Sequence, residues 1–100
     1  MPRKARVVSK TKIYHVILRG VNQQVIFEDE EDFQYFITVL EKCKEICVYK
    51  IFVYCLMNNH IHFLIEEGEE QLAKIMKRIC DRYVYWYNHK YDRIGHLFLL

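Results

Sequence analysis

Two strand-like runs, VYKIFVYCLM at 48–57 and HIHFLIE at 60–66, are separated only by Asn58-Asn59 and stand between two segments of helical periodicity. That arrangement leaves few folds open, because a two-residue connection commits the runs to an antiparallel hairpin and asparagines tolerate left-handed turn geometry. A strand alternates its faces. Ile61, Phe63 and Ile65 therefore share one face, predicted to meet the helices in the core, and His60, His62 and Leu64 share the other.

The flanking segments complete the order. KIYHVILRG at 12–20 is rich in β-branched and aromatic residues and stops at Arg19-Gly20, which predicts a first strand. Residues 29–46 place Phe33, Phe36, Ile37, Leu40 and Cys43 at helical spacing behind the acids of EDEED, which complement a helix N-terminus. After Gly68, residues 69–91 carry Leu72, Ile75, Met76, Ile79, Tyr83, Trp86 and Tyr87 on one stripe, predicting a long amphipathic helix. IGHLFLL supplies a short last strand after Gly95. Strand, helix, hairpin, helix and strand make the βαββαβ pattern of a ferredoxin-like α+β sandwich, an antiparallel sheet with two helices on one face. The expectation is one domain over 13–100 behind a basic tail at 1–12, with no internal repeat or linker.

Composition excludes several classes. With 52% hydrophobic and 28% charged residues the chain is globular rather than disordered. Its longest apolar run, Ile51 to Met57, falls short of the roughly 18 residues of a membrane span. The basic start is not followed by a long apolar segment, so a secretory signal is not expected, and a cytoplasmic protein without a membrane partner is. Cys43, Cys47, Cys55 and Cys80 form no Cys-x-x-Cys pair and read as reduced, buried thiols.

Net charge is +2 but unevenly spread. Arg3, Lys4, Arg6, Lys10 and Lys12 stand in an acid-free start, while Lys74, Lys77, Arg78, Arg82, Lys90 and Arg93 cluster in the second helix and just beyond it. Basic segments attract a phosphate backbone if the fold brings them to one side. Arg3, Lys4, Arg6, Lys77, Arg78 and Arg82 are the candidate DNA contacts.

His60 and His62 are the candidate metal ligands, because residues two apart on a strand point the same way with Cα atoms roughly 6.6 Å apart. Two imidazoles converging there suit one divalent ion, Mg2+ or Mn2+, with imidazole favouring manganese of the two. A third ligand is needed, for which His15 and Glu66 are the candidates.

IYHVILRGVNQQVIF, then YCLMNNHIHFLIE, then YWYNHKYDRIGHLF, taken in that order, resemble the insertion-sequence and REP-associated tyrosine transposases, whose signature is a His-hydrophobic-His strand. The likeness runs from about residue 13 to 98 and covers the N-terminal portion of that family. It implies cleavage and rejoining of single-stranded or hairpin DNA through a tyrosine, with His60 and His62 at the metal-ligand positions and a homodimer as the working form. A divalent ion there would polarise and orient the scissile phosphate, and a phenolate is a good leaving group when the strand is rejoined.

Two departures stand out. The family usually has proline where this chain has Asn58, and its nucleophilic tyrosine lies on a helix beyond the GHLF segment, close to where this sequence stops. Tyr85 and Tyr91 are the available substitutes, and Tyr83 and Tyr87 fall on the apolar stripe as core residues. The expectation is a truncated or decayed transposase, or a piece of one, that retains DNA and metal binding. The alternative is a non-catalytic RNA- or DNA-binding module of the same βαββαβ order, against which stands the lack of an aromatic platform on HIHFLIE. A small regulatory or structural ferredoxin-like protein is a third reading.

Overall fold

The computed structural model describes residues 11–99. Arg3, Lys4 and Arg6, and with them nearly all of the basic tail, lie outside the described residues. The elements are β1 (Ile13–Gly20), α1 (Glu30–Cys47), β2 (Lys50–Leu56), β3 (His60–Glu66), α2 (Leu72–Lys90) and β4 (Phe98–Leu99), with a single 3-10 turn at Val21–Gln23. The sheet runs β2-β3-β1-β4 with every neighbouring pair antiparallel. This is the ferredoxin-like α+β sandwich that the element order predicts.

Burial follows the two periods read from the chain. On β3 the side chains of Ile61, Phe63 and Ile65 are buried, while His60, His62, Leu64 and Glu66 are half-buried on the open face. Phe36, Val39, Leu40 and Cys43 from α1 and Ile75, Met76, Ile79, Tyr83 and Tyr87 from α2 close over the inner face. Truncating a fully buried ring such as Phe63 to alanine costs about 3–5 kcal/mol in a core of this kind.

Local chemistry sets the ends of the elements. The Asp29 carboxylate caps α1 by accepting from the Asp32 N–H at 3.1 Å, and Glu30, Glu31 and Asp32 fill its first turn, where anions offset the exposed N–H groups. Val48 ends the same helix in a left-handed conformation, φ 53° and ψ 64°.

The β2–β3 turn differs from its sequence reading. Neither Asn58 nor Asn59 has a positive φ; among the described residues the non-glycine positions with positive φ are Lys12, Asn22, Gln23, Val48 and Asp92. The turn is held from beneath, since the Asn58 carbonyl accepts from the Ile26 and Phe27 N–H groups and the Asn59 carbonyl from Gly20 N–H. The 21–29 segment that makes these bonds is itself fastened to α2, with Tyr83 and Tyr87 hydroxyls donating to the Ile26 and Val25 carbonyls.

One expectation about the cysteines is corrected. Cys43, Cys47 and Cys80 are buried thiols, but Cys55 is exposed, because β2 is an edge strand and Cys55 is on its outward face.

Candidate metal centre and nucleic-acid interface

The open face of the sheet is built from alternate residues of three strands. In the β1–β3 register His60 lies opposite Arg19, His62 opposite Ile17 and Leu64 opposite His15; in the β2–β3 register Cys55 lies opposite His62 and Val53 opposite Leu64. Parity therefore gathers His15, Ile17 and Arg19 with His60, His62 and Leu64 on the side away from the helices.

Three imidazoles cluster there. The His60 and His62 ring centres are 5.0 Å apart at a steep angle, and the His15 and His62 rings stack at 5.4 Å. His62 Nδ1 is 3.2 Å from His15 Nε2, and His60 Nδ1 is 2.8 Å from Asn59 Oδ1. Burial, and after it the neighbouring His60, His15 and Arg19, lower the His62 pKa below the ordinary 6.5, which keeps the ring neutral at neutral pH. Neutral imidazole is the form that ligates a metal.

Of the two candidates for a third ligand, His15 touches His62, whereas Glu66 is four residues further along β3, opposite Ile13 and Lys50, roughly 13 Å from His62 along the strand. The donor chemistry fits a divalent ion held by His60 and His62. A second grouping with metal-ligand character, Asp29, Glu31 and Asp32, is already filled by a cation of the protein's own. Lys90 Nζ lies 3.0, 2.6 and 2.8 Å from those three carboxylates.

The helix cations expected to bind DNA are not beside the histidines. Lys77, Arg78 and Arg82 are exposed on α2, in the layer behind the sheet, and two of them are paired, Lys77 with Asp81 at 2.8 Å and Arg78 with Glu70 at 2.9 Å. A cation that does share the histidine face is Arg19, opposite His60; Lys50, opposite Glu66, has the same parity but stands at the far end of β3. In the sequence Arg19 marks a strand stop beside Gly20; its place two residues from Ile17 and four from His15 on an alternating strand is the signal that puts it on the histidine face.

None of the eight tyrosines stands on the open face. Tyr14 and Tyr54 have the inward parity of Val16 and Phe63, Tyr35 and Tyr49 pack with α1, and the other four belong to α2 or its end. Tyr83 and Tyr87 are core residues, as their spacing predicts. The Tyr91 hydroxyl donates to Asp32 at 2.6 Å, and its pKa is pushed up to about 12 by desolvation and then by that bond. Tyr85 is exposed and lines a groove of about 930 Å³ between α2 and β1, which His15 and His96 also line.

The central strands carry no stacking platform of the RNA-recognition kind, because Phe63 turns inward and the outward residues of β1 and β3 are Ile13, His15, Ile17, Arg19, His60, His62, Leu64 and Glu66. No helix among the described residues is long and apolar enough to cross a membrane.

Residues 8–99 match the protein family described as "Transposase IS200 like". Among solved structures, a REP-associated tyrosine transposase bound to a REP hairpin superposes with a TM-score of 0.74 at 14% identity, over 99% of this chain. The chain spans 58% of the length of that protein. No curated protein sequence matches it.

Proposed function

The chain belongs to the IS200-like transposase family, and from that premise we propose that its open sheet face binds single-stranded or hairpin DNA around a divalent ion held by His60 and His62. The observation that carries this reading is the pair of half-buried imidazoles on one face with Arg19 beside them. The similar fold of a transposase solved with a DNA hairpin supports the same partner.

His60 and His62 hold the ion through one nitrogen each, and Arg19, across from His60, attracts the phosphate toward it. Magnesium or manganese bound there would supply Lewis-acid polarisation of a phosphate oxygen. Ile17, Leu64 and the largely exposed Val53 give the face an apolar component against which sugars and bases can lie, or a second copy of the chain can pack as a two-fold pair. Lys77, Arg78 and Arg82 act at longer range from the helical layer and raise the encounter rate rather than contact the scissile phosphate. The nucleophile is assigned to none of the described tyrosines.

Manganese calorimetry on the wild type and on His60→Ala/His62→Ala tests the ion site, with loss of the binding heat expected and equal heats refuting it. Fluorescence anisotropy with a DNA hairpin tests the partner. Binding that tightens with manganese in the wild type and not in the double variant is expected, and no binding at low salt would overturn the reading. Light scattering over a range of concentrations checks the paired form, which a concentration-independent monomer would exclude.

A further inference from the structure

His15 is a third imidazole at the site, and its geometry gives it a task other than ligation. A metal-bound histidine generally donates its remaining ring N–H to an acceptor, which fixes both tautomer and ring orientation. Asn59 Oδ1 has lone pairs and no proton, so the 2.8 Å contact with His60 Nδ1 requires the proton on that nitrogen and leaves His60 Nε2 bare. The 3.2 Å contact between His62 Nδ1 and His15 Nε2 needs one donor and one acceptor. If His15 donated, His62 would carry its proton on Nε2 and the ligand position would be blocked. If His62 donates, its Nε2 is bare like that of His60, and the His15 proton sits on Nδ1.

We propose that His15 and Asn59 are positioning residues for the ion site, His15 Nε2 accepting from His62 Nδ1 and Asn59 Oδ1 from His60 Nδ1, so that both ligand histidines present an unprotonated Nε2. This rests on the reading of His60 and His62 as ligands. It also removes His15 from the ligand set, since its one free lone pair is spent on His62. The two supports come from different elements. His15 is supplied by β1, while Asn59 is held by its own carbonyl, which accepts from the Gly20 N–H at 3.0 Å at the other end of that strand.

The experiment has one arm that needs no metal. Long-range proton–nitrogen correlation spectra of the metal-free protein, at a pH where the imidazoles are neutral, report which ring nitrogen carries the proton. His60 and His62 are expected to show bare Nε2 and protonated Nδ1, and His15 the bare Nε2 of an acceptor. Replacing His15 by phenylalanine should move His62 toward the Nε2-protonated form, and Asn59→Ala should do the same for His60, while Asn59→Asp, which keeps an acceptor oxygen, should restore it. In the second arm, manganese affinity should fall about 10–100-fold in His15→Phe and Asn59→Ala and recover in Asn59→Asp. An Nε2-protonated His60 or His62 in the wild type overturns the proposal, as does unchanged manganese affinity in His15→Phe and Asn59→Ala. The expected tautomers in a wild type that takes up no manganese would bear out the hydrogen bonds and sink the metal reading instead.

Discussion

Lys90 Nζ lies 2.8 Å from the carboxylate of Asp32, a side chain with no exposed surface, and the contact ties the last turn of α2 to the first turn of α1. The second Asp32 oxygen accepts from the Glu28 N–H at 2.8 Å and the Tyr91 hydroxyl at 2.6 Å. Desolvation lowers the Lys90 pKa, but hydrogen bonds to Asp32, Glu31, Asp29 and Tyr91 outweigh it and hold the ammonium well above its ordinary value. Replacing Asp32 by alanine leaves Lys90 with Asp29 and Glu31 but takes the acceptor from the Glu28 N–H and the Tyr91 hydroxyl, at about 1–3 kcal/mol each. Thermal unfolding should show a fall in Tm on the order of 10 °C, and a shift of under a degree would mean that the clamp contributes nothing.

Val48 is a β-branched residue in left-handed backbone, φ 53°, with 68% of its surface exposed. Its side chain contributes little packing to offset that strain. Val48→Asn should stabilise the protein by about 0.5–1 kcal/mol, read as a higher urea midpoint with an unchanged slope. A lower midpoint would count against the strain.

A Cβ added to Gly20 would lie 2.0 Å from the Gln24 carbonyl oxygen, a main-chain atom that cannot step aside cheaply. The Gly20 N–H also holds the Asn59 carbonyl beneath the histidine turn. Gly20→Ala should therefore lower stability and weaken manganese binding together, whereas Gly68→Ala, equally tight at 2.0 Å from the Val48 carbonyl oxygen, should lower stability alone. Thermal melts and calorimetry on both variants separate the two; equal losses of manganese affinity would contradict the assignment.

Two carboxylates give stability a defined acid limit. Asp29 is lowered from 3.8, chiefly by its hydrogen bond to Lys90, and Glu70 is lowered from 4.5, chiefly by its hydrogen bond to Arg78 and then by the Cys47 thiol. A carboxylate with a depressed folded-state pKa contributes stability that is fully present above its unfolded value and is lost as pH falls through the folded one. Stability from these groups should hold above about pH 5 and decline below it, and Glu70→Gln should flatten part of that decline. Denaturant midpoints across pH 2–6 check it, and an unaltered profile in the variant would remove Glu70 from the account.

Arg19 stands on the histidine side of the sheet, where the proposed DNA would lie, whereas Lys77 and Arg78 on the helical layer already carry acidic partners. Arg19→Ala should weaken hairpin binding and reduce its salt dependence by about one phosphate contact. Lys77→Ala/Arg78→Ala should mainly slow association at low salt. The reverse ranking in anisotropy titrations would place the DNA on the helices.

What the amino-acid sequence determined by itself was everything with a period. Alternation on HIHFLIE separates Ile61, Phe63 and Ile65 from His60 and His62, and the helical stripe of 69–91 names Tyr83 and Tyr87 as core. Both patterns depend on backbone geometry that repeats every 2 or 3.6 residues, so a short window contains them. Tertiary structure alone decided which distant residues share a face. His15 meets His62 across 47 positions and Lys90 meets Asp32 across 58, through strand register and helix docking that depend on the whole core and leave no mark in either local segment. The same reason explains why Cys55 read as buried and is exposed, and why Arg19 passed as a strand stop. Each has an ordinary local environment, and only the pairing of β1, β3 and β2 sets them beside the histidines.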